Sequence, residues 1–237
     1  MELIQVVNTY DWEKEAEKKW DERAAFWNKS SKEMWDTGSR STVIPFFKKY
    51  VSEGSKVIDI GCGDGYGSFL LMQEGMKVTG ADLSPEMIRL AKQHEKEGRL
   101  AFRQANIMSM PFGDGEADAL LTINCLEWTA DPLAALLELK RVVKKEGYLC
   151  IAVLGPTAHP RENSYGRLYG KDVICNTMMP WEFEKLAHEN GWELIDSQGV
   201  YKRGVTEDMV HKLSVELKQS LSFLWLFMLQ KKGEDKR

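Results

Sequence analysis

The sequence predicts an α/β protein built on a seven-stranded sheet with helices on both faces. Three observations point there. Short apolar runs alternate with amphipathic stretches between residues 56 and 154, which is the pattern of a parallel sheet whose crossovers are helices. A glycine cluster, VIDIGCGDGYG at 57–67, interrupts the first apolar run. Two further strand-like stretches close the chain, at 192–200 and 221–230.

In chain order, residues 11–35 are charged and helical in pattern. Trp12, Trp20, Trp27 and Trp35 recur every seven or eight positions, which at about 3.6 residues per turn puts them near one face. Two readings stay open: a core stripe, or an aromatic cover over a ligand pocket. Strands are predicted at 56–60, 77–82, 100–105, 117–124 and 147–154, with helices at 68–75, 85–96 and 132–143. Proline opens the last two helices, where its missing N–H costs least, and Ser84 and Asp131 precede it as N-caps. Past Leu154, residues 179–190 read as a helix stopped by Asn190-Gly191, followed by the two closing strands. The run LSFLWLFML at 221–229 falls short of the roughly 20 residues that span a membrane and reads as a buried strand.

The 237 residues are 43% hydrophobic, enough for one large domain with an extension or for two small ones. The net charge of −4 offers no basic excess for nucleic acid. Cys62, Cys125, Cys150 and Cys175 are far apart and form no CxxC pair. That spacing argues against a metal site and for reduced thiols in a cytoplasmic protein. No basic segment leads into an apolar run at the start, so neither a signal peptide nor membrane insertion is expected.

The glycine cluster carries the functional argument. A strand ending at Asp59 turns through Gly61, Gly63 and Gly65 into a helix. Glycine lets backbone approach a ligand closely, and the helix start presents free N–H groups. The next strand ends in Asp82, an acid placed to accept hydrogen bonds from ribose hydroxyls. Two cofactor classes fit so far. A dinucleotide prefers the spacing G-x-G-x-x-G, whereas here the third glycine comes one position early and Asp64 puts a carboxylate in the turn. A cofactor with an amino-acid end and a sulfonium tolerates that charge.

VIDIGCGDGYG followed by GADLSPEMI resembles the first two motifs of class I S-adenosylmethionine-dependent methyltransferases. ANIMSMPFGDGEADALLTINCLEWTADP resembles the third and fourth motifs of their small-molecule branch, which includes quinone-biosynthesis enzymes. The resemblance runs from about residue 43 to 205, with the motifs in order. It implies a Rossmann-like mixed sheet whose last strand inserts antiparallel, and S-adenosylmethionine as cofactor. It implies that Gly61, Cys62 and Gly63 pack on the methionine portion, that Asp59 supports the loop and that Asp82 binds the ribose. Leu83 and Met87 then lie beside the adenine. Asn106 stands where the family usually has an aspartate for the adenine amino group, Ile107 offers its backbone N–H, and Met108 flanks the ring. Asn124 meets the methionine end, and Arg40 resembles the donor that holds the methionine carboxylate.

Methyl transfer from a sulfonium needs orientation more than acid or metal. A base helps when the acceptor is a hydroxyl. Two stretches meet the strand ends: NCLEW, with Glu127 and Trp128, and the long loop LGPTAHPRENSYGRLYG, with His159, Arg161, Tyr165 and Tyr169. His159 is the preferred base, since histidine titrates near neutrality, with Glu127 second. The aromatic segments suggest a small, partly apolar acceptor. Residues 1–54 are expected to form a helical lid and 55–237 the cofactor-binding domain; oligomeric state is not legible. The alternatives are an NAD-dependent oxidoreductase and a non-catalytic S-adenosylmethionine-binding protein. A protein or nucleic-acid methyltransferase is a further option, with nucleic acid disfavoured by charge and by the lack of a (D/N)PPY-type run.

Overall fold

The computed structural model describes residues 10–233; the first nine residues of the expected lid lie outside them. Seven strands form one sheet: β1 (Lys56–Ile60), β2 (Lys77–Asp82), β3 (Leu100–Gln104), β4 (Ala117–Ile123), β5 (Val143–Leu154), β6 (Trp192–Tyr201) and β7 (Ser222–Lys231). Their order is β3-β2-β1-β4-β5-β7-β6. The first five run parallel. β7 enters antiparallel between β5 and β6, as the family resemblance implied.

Helices cover both faces. On one, α2 (Val43–Phe47), α3 (Tyr66–Gln73) and α4 (Pro85–Ala91) pack Phe46, Phe47, Leu71 and Ile88 against Val57, Val78 and Leu121. On the other, α5 (Pro132–Val142) and α6 (Pro180–Glu189) pack Leu136, Leu139 and Phe183 against Ile58, Leu120 and Phe227. Most of these side chains are fully buried, and each contributes about 1.5–3 kcal/mol of transfer free energy. β1 and β5 are buried on both faces because helices lie on each, which is why their sequences read as continuous apolar runs. Among the described residues no helix is long and apolar enough to cross a membrane.

The register sets the site. Ile60 lies beside Ala81, Asp82 beside Gln104 and Asp59 beside Leu121. The loops that follow β1, β2, β3 and β4 therefore leave the sheet at one edge, where open α/β sheets bind ligands. Across that edge lies α1 (Trp12–Asp36), a 25-residue helix capped by Asp11.

Three local differences from the sequence reading have physical causes. The helix expected to reach residue 96 ends at Ala91 and tightens into a 3₁₀ turn (Lys92–His94), because Lys96 pairs back with Leu100. β5 begins at Val143 rather than at 147. Its first residues follow α5 directly, and Glu146, at φ +58°, accompanies a register irregularity against β4. The long loop after β5 is a run of 3₁₀ turns (His159–Tyr169). Arg161 holds it down by donating to the carbonyls of Leu154, Gly155 (2.8 Å) and Met178 (2.7 Å). Two short helices missed by the sequence reading, α7 (Glu207–Val210) and α8 (Val215–Ser220), lead into β7.

Candidate active site

One pocket, with about 980 Å³ of space counting its mouth, opens at the strand-end edge beneath α1. The glycine loop forms its floor. Gly61 has φ +72°, and a Cβ there would lie 2.8 Å from both Cβ and Sγ of Cys125. Only glycine lets the loop after β1 lie this close to the tip of β4. The N–H of Gly63 donates to Asp82 Oδ2 at 2.8 Å, and Ser84 N–H donates to Oδ1 at 2.9 Å. The acid thus braces the loop and keeps a lone pair on each oxygen for a ligand.

Asp59 sits behind the loop, buried, accepting from the Ser68 hydroxyl at 2.6 Å. Burial pushes its carboxyl up to about 7, against the lowering effect of that hydrogen bond. Asp82 is also raised, by burial first, with the backbone N–H groups of Ser84 and Gly63 pulling the other way.

α1 forms the roof, pinned along its length. Trp12 Nε1 donates to the Trp128 carbonyl at 2.7 Å. The Asp21 carboxylate accepts from the Ser84 hydroxyl and from Glu86 N–H. Ser31 Oγ donates to Asp64 Oδ1 at 2.7 Å. The indole of Trp35 lies on Gly67, where a Cβ would stand 2.3 Å from the ring. This docking decides between the two readings of the tryptophan stripe. Trp12, Trp20, Trp27 and Trp35 all line the pocket, and Trp35 belongs to the core as well.

Arg40 reaches the pocket from the turn after α1. Its guanidinium is buried, 4.5 Å from the Trp27 ring centroid and 5.6 Å from that of Trp35. Among the described residues it makes no hydrogen bond or ion pair through its side chain. Burial lowers its pKa to about 10, against the carboxylates of Asp64, Asp59 and Glu127. A buried guanidinium held by ring faces and pointing no N–H at a protein acceptor suits an anionic ligand group.

Of the residues singled out in the sequence, the pocket gathers Arg40, Asp59, Gly61, Cys62, Gly63, Asp82, Leu83, Met87, Asn106, Ile107, Met108 and Asn124. The Asn106 side-chain oxygen already accepts from Met108 N–H at 2.9 Å, closing a turn, and keeps one lone pair. Asn124 takes the left-handed conformation at φ +54°, a backbone asparagine tolerates and one that recurs at functional sites.

The two candidate bases do not join the pocket. His159 stands on the surface with its side chain 84% exposed, 3.2 Å from Glu162. The turn that carries it is anchored by Arg161, which leaves the imidazole facing outward. Glu127 is fully buried behind the wall. Its Oε1 accepts from Leu154 N–H at 2.5 Å and from Asn124 Nδ2 at 3.4 Å. Burial raises its pKa. It braces the tips of β4 and β5 and does not face the ligand. Reasoning from sequence missed Glu13, Ala16, Cys125 and Thr129, which also line the pocket. Only the position of Cys125, next to Asn124 at a strand tip, gave any signal.

Comparison with known proteins agrees with this geometry. The family described as "Methyltransferase domain" matches residues 58–151. An uncharacterised methyltransferase of Schizosaccharomyces pombe is 32% identical over 150 residues, covering 57% of this chain and 54% of that protein. The demethylmenaquinone methyltransferase of Tropheryma whipplei is 32% identical over 127 residues, 52% of each chain. Residues 58–151 thus match the methyltransferase-domain family, and over about half of its length the chain is similar to methyltransferases. It spans about half the length of the curated relatives it matches. Among solved structures, a chain from the complex of the Haloferax volcanii Trm112 methyltransferase activator with a methyltransferase superposes with a TM-score of 0.72. That match covers 94% of this chain and 100% of the other at 18% identity, and it speaks for the fold.

The pocket fits S-adenosylmethionine by charge and shape. Among the described residues Arg40 is a buried cation with no side-chain acceptor, which suits a carboxylate, and Asp59 is an acid near it, which suits an ammonium. Gly61 gives backbone where a side chain would intrude. Ile107 N–H is engaged by none of the described residues and can donate to a ligand.

Proposed function

We propose that the protein transfers a methyl group from S-adenosylmethionine to a small-molecule acceptor, with residues 1–54 as the lid and 55–237 as the donor-binding domain. The observation that carries this reading is Arg40. Its buried guanidinium lies, among the described residues, without an acceptor in the same pocket as the Gly61 and Gly63 backbone and Asp82.

The donor supplies a carbon already activated by a sulfonium. The chain's task is to hold and to exclude water. Arg40 takes the carboxylate, Asp59 supports the loop and faces the ammonium, and the backbone of residues 61–63 and of Asn124 lies along the methionine chain. Asp82 takes the ribose hydroxyls. Leu83, Met87 and Met108 enclose the adenine, with Asn106 and Ile107 on its polar edge. Holding the two reactants in line is worth roughly 7–11 kcal/mol, and the docked α1 keeps bulk water from the reacting atoms. Neither His159 nor Glu127 acts as a base in this reading; the acceptor brings its own nucleophilicity.

The net charge of −4 and the aromatic pocket favour a small acceptor over nucleic acid, in a cytoplasmic setting. The oxidoreductase alternative loses ground because Asp64 is buried in the turn where a pyrophosphate would sit. Incubation with methyl-labelled donor and a panel of small nucleophiles tests the proposal. Label transfer supports it. Tight donor binding with no transfer to any acceptor class would favour a non-catalytic binder.

A further inference from the structure

Beyond the residues assigned to the donor, the pocket has a second wall. Trp12, Glu13, Ala16 and Trp20 come from α1, and Trp128 and Thr129 from the turn after β4. The indoles do not form a parallel slot. Trp20 stands at 86° to Trp128 with centroids 5.3 Å apart, and at 87° to Trp27 at 6.0 Å. A flat neutral acceptor is gripped best between parallel faces, whereas rings that meet at right angles enclose a compact group from several sides. Aromatic faces converging in this way attract cations.

The rings already serve cations within the protein. Arg23 lies 5.9 Å from the Trp20 centroid and Arg40 4.5 Å from that of Trp27. Glu13 is the one charged side chain of this second wall, and among the described residues it has no ion-pair partner. Arg40, the one cation lining the pocket among the described residues, is taken by the donor's carboxylate in the function proposed. What remains toward the acceptor is indole and carboxylate.

Resting on that reading, we propose that the acceptor is a tertiary amine, and that Trp12, Trp20, Trp128 and Glu13 seat the quaternary ammonium it becomes. The nitrogen lone pair attacks the methyl carbon and the N–C bond forms. The C–S bond breaks with its electron pair staying on sulfur. The positive charge leaves sulfur as it appears on nitrogen, and no proton changes hands. The step therefore needs no base, in keeping with His159 on the surface and Glu127 behind the wall. Rings and a carboxylate at the acceptor end stabilise the charge where it develops, so they act on the transition state more than on the neutral amine.

The test is calorimetric binding to the full chain saturated with S-adenosylhomocysteine. The probes are choline, which carries a quaternary ammonium, and 3,3-dimethyl-1-butanol, its neutral isostere. The proposal expects choline to bind at least about tenfold tighter than the isostere. Trp20→Leu should weaken choline by about fivefold or more, Trp20→Phe by less, and Glu13→Gln by a smaller factor that shrinks in high salt. Glu13→Gln should leave S-adenosylhomocysteine affinity within about twofold, and the Trp20 variants should lose less affinity for S-adenosylhomocysteine than for choline, which also certifies the fold of each variant. Equal affinity for the two probes, or no choline binding beside normal S-adenosylhomocysteine binding, overturns the amine proposal and leaves the methyltransferase reading intact. Failure of S-adenosylhomocysteine itself to bind overturns both.

Discussion

Ser31 donates its hydroxyl hydrogen to Asp64 across 2.7 Å, and both side chains are buried. That bond ties the roof helix to the glycine loop. Asp64 is raised above its ordinary range by burial, and the Ser31 bond counters the shift. Removing the donor leaves a buried carboxylate oxygen short of one partner. Ser31→Ala should therefore cost about 1–3 kcal/mol, read as a lower urea midpoint at unchanged slope. It should also weaken S-adenosylhomocysteine binding, because α1 supplies part of the pocket.

Arg40 should carry much of the donor affinity. A charge-assisted bond between guanidinium and carboxylate is worth about 1.5–3 kcal/mol, so Arg40→Ala should weaken S-adenosylhomocysteine by roughly 10- to 150-fold. Arg40→Lys keeps the charge but loses the planar fork and the stacking on Trp27 and Trp35. It should recover only part of the loss. Adenosine lacks the carboxylate and should bind both variants nearly as it binds the parent.

Asp59 makes the fold sensitive to pH in a direction opposite to most carboxylates. Its folded value, about 7, lies above the ordinary value near 3.9. Between those values the folded state binds the extra proton, so this group's contribution is fully present below pH 4 and is lost as pH rises to 7. The loss is on the order of 2–4 kcal/mol. The difference in stability between the parent and Asp59→Asn should shift with pH across that window and level off above it. A cationic ammonium beside Asp59 favours the ionised form. Donor binding should then release a proton below pH 7 and weaken as pH falls, an effect that Asp59→Asn removes. Calorimetry in buffers of different ionisation enthalpy measures that release.

The two residues first considered as bases should separate cleanly from catalysis. His159→Ala, at an exposed position, should leave turnover on any accepted substrate within about twofold. Glu127→Gln keeps an acceptor for Leu154 N–H and removes a buried charge, so stability should change by no more than about 1 kcal/mol. Glu127→Ala strands that N–H and opens a cavity, and should cost about 2–4 kcal/mol. Neither Glu127 variant should acquire the pH profile of a lost base.

The scaffold was legible in the chain because its signals are local. Apolar runs bounded by Gly75, Gly147 and Gly191, with prolines at 85, 132 and 180, mark strands and helices one by one. The glycine-loop side of the pocket was legible too, since Gly61, Asp82 and residues 106–108 each lie at or just past a strand tip and the parallel register brings those tips together. The side beneath α1 was not. Glu13 and Thr129 line one pocket only because α1 docks across the sheet edge, and that docking rests on contacts such as Trp12 with the Trp128 carbonyl, between residues more than a hundred positions apart. His159 and Glu127 lie off the pocket for the same reason. Residue type suggested chemistry, while burial and the anchoring by Arg161 decided where each side chain went.

Titration calorimetry of the purified protein with S-adenosylhomocysteine and, separately, with NAD tests the central claim most directly. The account predicts one-to-one binding of S-adenosylhomocysteine that is lost or sharply weakened in Arg40→Ala, with no binding of NAD. Binding of NAD without S-adenosylhomocysteine would contradict it, and the glycine loop would then be a pyrophosphate cradle.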